Sequence, residues 1–192
     1  MKIGVLALQG AFAEHINVLQ RLNVEAVSVR LLPELRGLDG LIIPGGESTS
    51  IGKLMLDYEL VGKFKELVAA GIPVFGTCAG MILLAEKTSD AYPESLGIMA
   101  IKVKRNAFGR QMESFESQLS VPVLGEKLFP GVFIRAPLVE QVNSNVEILA
   151  RLDDDIVVAV RQGSLLAAAF HPELTDDTRF HQYFLDIVAG RQ

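Results

Sequence analysis

Apolar and polar positions alternate along this chain with two different periods. KIGVLAL (2–8) is a nearly unbroken apolar run, the pattern of a strand covered on both faces. AEHINVLQRL (13–22) instead spaces Ile16, Leu19 and Leu22 along one side of a helix. VEAVSV (24–29) and LDGLIIP (38–44) return to β-branched and apolar residues. The stretch 51–70 predicts a helix, stopped by Gly71 and Pro73. PVFGT (73–77) predicts another strand and AGMILLAEK (79–87) another helix. Strand and helix in alternation predict a parallel sheet with helices on both faces, because a parallel connection must cross over the sheet.

The second half has a different rhythm. IMAIKVKRN, SQLSVPV, VFIRAP, EILARL, DIVVAVRQ and LLAAAF are short strand-like segments separated by Gly, Pro, Asn or Asp. With little helix between them, they predict antiparallel extensions of the same sheet. A last helix is expected over about 177–188. There is no internal repeat and no linker composition, so residues 1–192 are expected to form a single domain. The fold class is therefore α/β: three layers, a mostly parallel central sheet, helices on both faces and antiparallel extensions.

Composition narrows the function. The net charge is −5 with no basic tract, which disfavours nucleic acid as a partner. Apolar residues make up 49% of the chain, yet the runs stop after about 5 to 8 residues, far below the ~20 needed to cross a bilayer. No membrane association is expected. The opening MKIGVLALQGAF has a single lysine, and Gln9 and Glu14 stand where a signal peptide would need apolar and small residues, so it reads as the first strand. One cysteine cannot form an internal disulfide, which fits a reducing cytoplasm. One cysteine and three scattered histidines also give no metal-ligand spacing.

That cysteine is the most informative residue. In open α/β sheets ligands collect at the carboxyl ends of the strands. Three loops converge there: Gln9-Gly10, Pro44 to Ser48, and Thr77 to Gly80. Cys78 lies in G-x-C-x-G where a strand turns into a helix, and Gly76 and Gly80 remove side chains that would clash in so tight a turn. This is the cysteine counterpart of the G-x-S-x-G nucleophile elbow. A helix N-terminus favours the thiolate through its macrodipole and free N–H groups. The alternative is a buried cysteine packed as a small hydrophobe.

A thiol nucleophile needs a base, and the choices are His15, His171 and His181. His15 and His181 fall inside predicted helices and read as ordinary surface or packed residues. His171 ends the run LLAAAF and precedes Pro172-Glu173; in extended backbone residues 171 and 173 point the same way, so Glu173 can hold the imidazole. GGESTSIGK is not a phosphate loop, because its spacing is wrong, Leu54 follows Lys53, and Glu47 would repel phosphate. Its glycine-rich backbone could instead serve an oxyanion, with the amides of Gly46 and Ala79 aimed at one point; a plain turn is the alternative. Arg105 in RNAFGRQ and Arg135 in FIRAP suit a carboxylate, and spacing alone does not choose between that and solvated arginines. On the residues alone, a cysteine peptidase or another hydrolase on the same elbow and a non-catalytic docking module stay open.

The segments LALQGAFAEH, PGGEST, GTCAGMILLA, RNAFGRQ, ESFE, FIRAP and FHPELTDD together resemble the class I (triad) glutamine amidotransferases. More narrowly, they are similar to the glutaminase subunits of the deoxyxylulose-independent pyridoxal 5′-phosphate synthases. The resemblance implies that Cys78 is the nucleophile that forms a glutamyl thioester, His171 the base and later the acid, and Glu173 the orienting carboxylate. It implies that Gly46, Glu47 and Ser48 line the L-glutamine site, completed by Arg105, Ile134 and Arg135. It implies no cofactor. It also implies a (β/α)8 synthase partner that receives ammonia and builds the cofactor from ribose 5-phosphate and glyceraldehyde 3-phosphate, in an assembly of twelve plus twelve subunits.

Overall fold

A computed structural model describes residues 1–89, 95–105, 114–153 and 155–190. The chain opens with β1 (Lys2–Leu6), α1 (Phe12–Arg21), β2 (Glu25–Val29), β3 (Gly40–Ile43), α2 (Ser48–Asp57), α3 (Leu60–Ala69), β4 (Val74–Thr77) and α4 (Ala79–Leu84). Then come β5 (Ala85–Thr88), β6 (Met99–Lys104), β7 (Ser114–Leu119), β8 (Phe129–Ile134) and β9 (Leu138–Val142). The chain closes with β10 (Glu147–Arg151), β11 (Val157–Gln162), β12 (Leu165–Ala168) and α5 (Arg179–Val188).

The main sheet has the order β10-β11-β12-β4-β3-β1-β2. Its β2-β1-β3-β4-β12 part is parallel throughout. That is a doubly wound order of the flavodoxin type, whose direction reverses between β1 and β3 and so opens a crevice above their carboxyl ends. The antiparallel extension expected from the second half is real for β10 and β11, which pair beyond β12. The others build their own sheets: β5-β6-β9 form one and β7-β8 another. Those strands carry a one-sided alternation, as in Met99–Lys104 with its buried, partly buried, buried pattern, and a strand with one wet face does not belong inside a covered sheet.

Two helix boundaries depart from the sequence pattern. The helix expected over 51–70 is two helices, α2 and α3, separated at Glu59, whose φ of 57° lies in the left-handed region. The helix expected to reach 87 stops at Leu84, after which Ala85 is extended and pairs with β6. Tertiary pairing overrides helical propensity there. The final helix starts at Arg179.

The period-2 alternation of β4 sorts the layers. Phe75 points to one face, where its ring meets Phe180 and Phe184 of α5 and His15 of α1. Gly76 points to the other, where a Cβ would collide with Gly80 and Leu84 of α4. Thr77 shares the Phe75 face, and this places its hydroxyl against His15 of α1. Among the described residues no helix is long and apolar enough to cross a membrane.

Candidate active site

The loops after β1, β3 and β4 meet at the crevice, joined by the segment after β12. Gly45 is pressed between them. A side chain on Gly10 would strike the Gly45 carbonyl, and one on Gly45 would overlap the His171 ring. The Gly45 carbonyl accepts from Ala11 N at 2.9 Å, and its N–H donates to Thr77 Oγ1 at 3.0 Å. Backbone contact alone therefore sets the distance between the loop 44–47 and the histidine, which only glycine permits.

Cys78 holds the turn from β4 into α4 with φ 46° and ψ −101°, a strained conformation for a residue with a side chain. Its N–H donates to Ala168 O at 2.8 Å, tying the turn to β12. On the other side Gly80 lies so close to the Ile43 carbonyl that no Cβ would fit. Squeezed between β3 and β12, the turn has no slack, and the thiol is aimed into the cavity. Cys78 is 6% exposed, and its Sγ lies 3.7 Å from the carbonyl of Ile134.

His171 follows β12, and its N–H donates to Val132 O of β8 at 2.8 Å. Its Nδ1 lies 2.7 Å from Glu173 Oε1, and its ring lines the same cavity as Cys78. With Nδ1 committed to the carboxylate, Nε2 is the atom left for sulfur. Burial alone would lower this imidazole, but the hydrogen bonds and charges of Cys78 and Glu173 outweigh it and push the group up to about 10. At neutral pH the ring is therefore an imidazolium. Burial would also raise the Glu173 carboxyl, yet His15 and His171 overcome that and hold it below the ordinary carboxylate range.

A cavity of about 280 Å³ opens in front of the sulfur. Gly46, Glu47, Ser48, Cys78, Arg105, Ile134, Arg135 and His171 line it, so the structure gathers there every residue the sequence nominated except the two behind its wall, Ala79 and Glu173. Ala79 opens α4, where a first-turn amide has no partner within the helix. Of RNAFGRQ only Arg105 is placed; residues 106–111 lie outside the described residues. Arg135 has a φ of 44°, a second strained side-chain-bearing residue at the cavity.

Glu47 has two duties. It caps α2, accepting from Thr49 N at 3.2 Å and from Ser50 N and Oγ, each at 2.7 Å. Arg105 reaches the same carboxylate with Nη2 at 3.2 Å and Thr49 Oγ1 with Nη1 at 3.2 Å. The hydrogen bonds from Ser50 and Thr49 outweigh burial and hold Glu47 below its ordinary value.

Sequence reasoning placed the Gln9-Gly10 loop at the crevice without giving Gln9 a role, and it missed Ile82. Gln9 Oε1 accepts from Glu47 N at 2.7 Å, so the first loop braces the second. Sequence reasoning also read His15 and His181 as ordinary residues. Both are fully buried, and they hydrogen-bond each other directly behind Glu173.

Comparison with known proteins is consistent over the whole chain. Residues 5–189 match the model of the SNO glutamine amidotransferase family. A protein of Moorella thermoacetica named pyridoxal 5′-phosphate synthase subunit PdxT is 55% identical over 188 residues, 98% of this chain and 100% of its own. One of the same name from Dehalococcoides mccartyi strain 195 is 57% identical over 190 residues, 98% of this chain and 97% of its own. A crystal structure of a glutamine amidotransferase, 52% identical, superimposes with a TM-score of 0.92 over 97% of this chain and 98% of its own. This chain belongs to the SNO glutamine amidotransferase family.

Proposed function

We propose that the chain is the glutaminase subunit of a pyridoxal 5′-phosphate synthase, with Cys78, His171 and Glu173 as its catalytic triad. The observation that carries this reading is the cavity itself: a nearly buried Cys78 on a strained turn and His171 line it together, and a buried carboxylate holds the His171 ring. Full-length relatives named as subunits of that synthase support it.

L-Glutamine enters with its carboxamide toward Cys78 and its charged end among Glu47, Arg105 and Arg135 at the mouth. The thiolate attacks the carboxamide carbon, and the amides of Gly46 and Ala79 receive the oxyanion. His171 gives its Nε2 proton to the departing nitrogen, the C–N bond breaks, and ammonia leaves behind a glutamyl thioester. Water then attacks that thioester while the now neutral His171 takes a proton from it. The C–S bond breaks, glutamate leaves, and thiolate and imidazolium are restored.

Ammonia in neutral water is mostly protonated and no longer nucleophilic, so its release belongs next to its consumer. A (β/α)8 synthase subunit, in an assembly of twelve plus twelve, is the partner that would consume it with ribose 5-phosphate and glyceraldehyde 3-phosphate. The test is glutamate release from glutamine by the full chain, alone and with the synthase subunit, beside Cys78→Ala. Turnover that rises with the partner and drops by at least ~10³-fold in the variant is expected. Turnover near wild type in Cys78→Ala would end the assignment.

A further inference from the structure

Behind the triad lies a buried polar chain that the mechanism above leaves unused. His15 of α1 and His181 of α5 are both fully buried, on the face of the sheet that Phe75 and Thr77 share. His15 Nδ1 lies 2.9 Å from His181 Nε2. The other ring nitrogen, His15 Nε2, lies 3.1 Å from Thr77 Oγ1 and 3.4 Å from Glu173 Oε2. That carboxylate oxygen is completely buried and has no hydrogen-bond partner among the described residues, the other oxygen being taken by His171.

The arrangement selects one set of protons. If Nδ1 of His15 carried the hydrogen, an imidazole lone pair would face an ionised carboxylate oxygen that has nothing else to bind. His181, accepting at Nε2, would then bury an N–H at Nδ1 with no partner. With the hydrogen on Nε2, His15 donates to Thr77 Oγ1 and turns the positive end of the same N–H dipole toward Glu173 Oε2 at 3.4 Å, and its Nδ1 accepts from His181 Nε2–H. The groups left over are then the Thr77 hydroxyl hydrogen and the bare nitrogen lone pair of His181, two neutral groups, which cost less than an unmet N–H beside an uncompensated charge.

We propose that His15 is a positioning residue of the glutaminase reaction, the dipole of its Nε2–H group facing Oε2 of Glu173 at 3.4 Å so that Oε1 stays on His171, with His181 fixing the tautomer. The inference rests on the triad assigned above and extends it by two residues. Burial lowers both rings from their ordinary range, most strongly His181, so each acts as a neutral dipole. The groups facing Glu173 are His171 on its own turn, with Cys78 beyond it, and His15 on α1, with His181 of α5 behind it. Glu14, Arg21 and Asp176 border the shallow hollow outside.

His15→Leu, assayed as glutamate release by the full chain in complex with the synthase subunit, should lower kcat by about 10-fold with KM changed less than about 2-fold. Without that dipole the Glu173 carboxylate is harder to keep ionised. The acid limb of the kcat/KM profile should therefore move up by about one pH unit. His15→Gln, which restores an N–H at similar reach, should return the limb most of the way, and His181→Phe should move it less than His15→Leu. A His15→Leu enzyme that melts earlier but keeps its kcat and its acid limb would overturn the proposal. Should that variant fail to fold, nitrogen-15 NMR of the wild-type rings decides. His15 neutral and protonated on Nε2 between pH 6 and 8 is expected; a proton on Nδ1, or on both nitrogens, would overturn it. Cys78→Ala in the same assay separates the two failures, because full activity there removes the triad, whereas an inactive Cys78→Ala with an unmoved His15→Leu profile removes only the role of His15.

Discussion

Glu47 stands at the mouth of the cavity and Glu173 behind its histidine. The two carboxylates have opposite surroundings. The Glu47 side chain is 48% exposed, shared between a helix cap and an arginine that is itself partly wet. Glu173 and its contact His15 have no exposed side-chain surface. In water-rich surroundings a charge pair is screened and contributes little, while a dry one interacts strongly but must be fully partnered. The front of the site is therefore suited to recognising a zwitterion that arrives with its own water, and the rear to fixing a proton.

The sharpest way to break this contrast is Glu173→Gln, which keeps the shape and removes the charge. It should lower kcat by ~10² to 10⁴-fold and leave KM within about 3-fold, because the rear acts on the reacting imidazole alone. Its pH profile should shift too. The wild-type alkaline limb is expected near pH 10, where His171 loses its proton, and removing the carboxylate should bring that limb down. A variant whose KM rose as much as kcat fell would place Glu173 in substrate binding and dissolve the distinction.

Gly45→Ala comes next. Its methyl group would overlap the His171 ring, and a displacement near 1 Å should cost ~10²-fold in kcat. Circular dichroism and melting would check that the fold survives. At the front, Arg105→Ala should raise KM for glutamine about 10-fold with kcat within about 2-fold, and the effect should shrink in high salt, since the pair it breaks is screened. Equal effects at low and high ionic strength would argue against an electrostatic front. The smallest effect expected is on stability: Glu47→Ala removes the α2 cap, worth about 1 kcal/mol, and should lower Tm by about 2–4 °C.

Much of this architecture was legible in the residues, and the exceptions have physical causes. The parallel sheet followed from continuous apolar runs such as KIGVLAL, because a strand covered on both faces cannot carry polar positions. The elbow followed from Gly76, Cys78 and Gly80, since few turns need glycine on both sides of a thiol. The small sheets of β5, β6 and β9 and of β7 and β8 did not follow: a short alternating strand reports a wet face but not which partner covers the other. Nor did the break at Glu59, where a residue with high helix propensity occupies left-handed backbone. His15 is the most instructive miss. It lies on the same side of α1 as Val18 and Leu19, both buried, so helical periodicity already placed an imidazole in the apolar stripe. A polar residue in such a stripe needs a partner, and the partners come from β4, α5 and the segment after β12, up to 166 residues away in sequence.

Cys78 is the sole cysteine, nearly buried, and meets the outside through the cavity. The protein thus carries a single-site reporter of its own entrance. The rate at which a thiol reagent of graded size adds one mass increment to the chain would gauge how often, and how wide, that entrance opens, with no label introduced and no background from a second thiol.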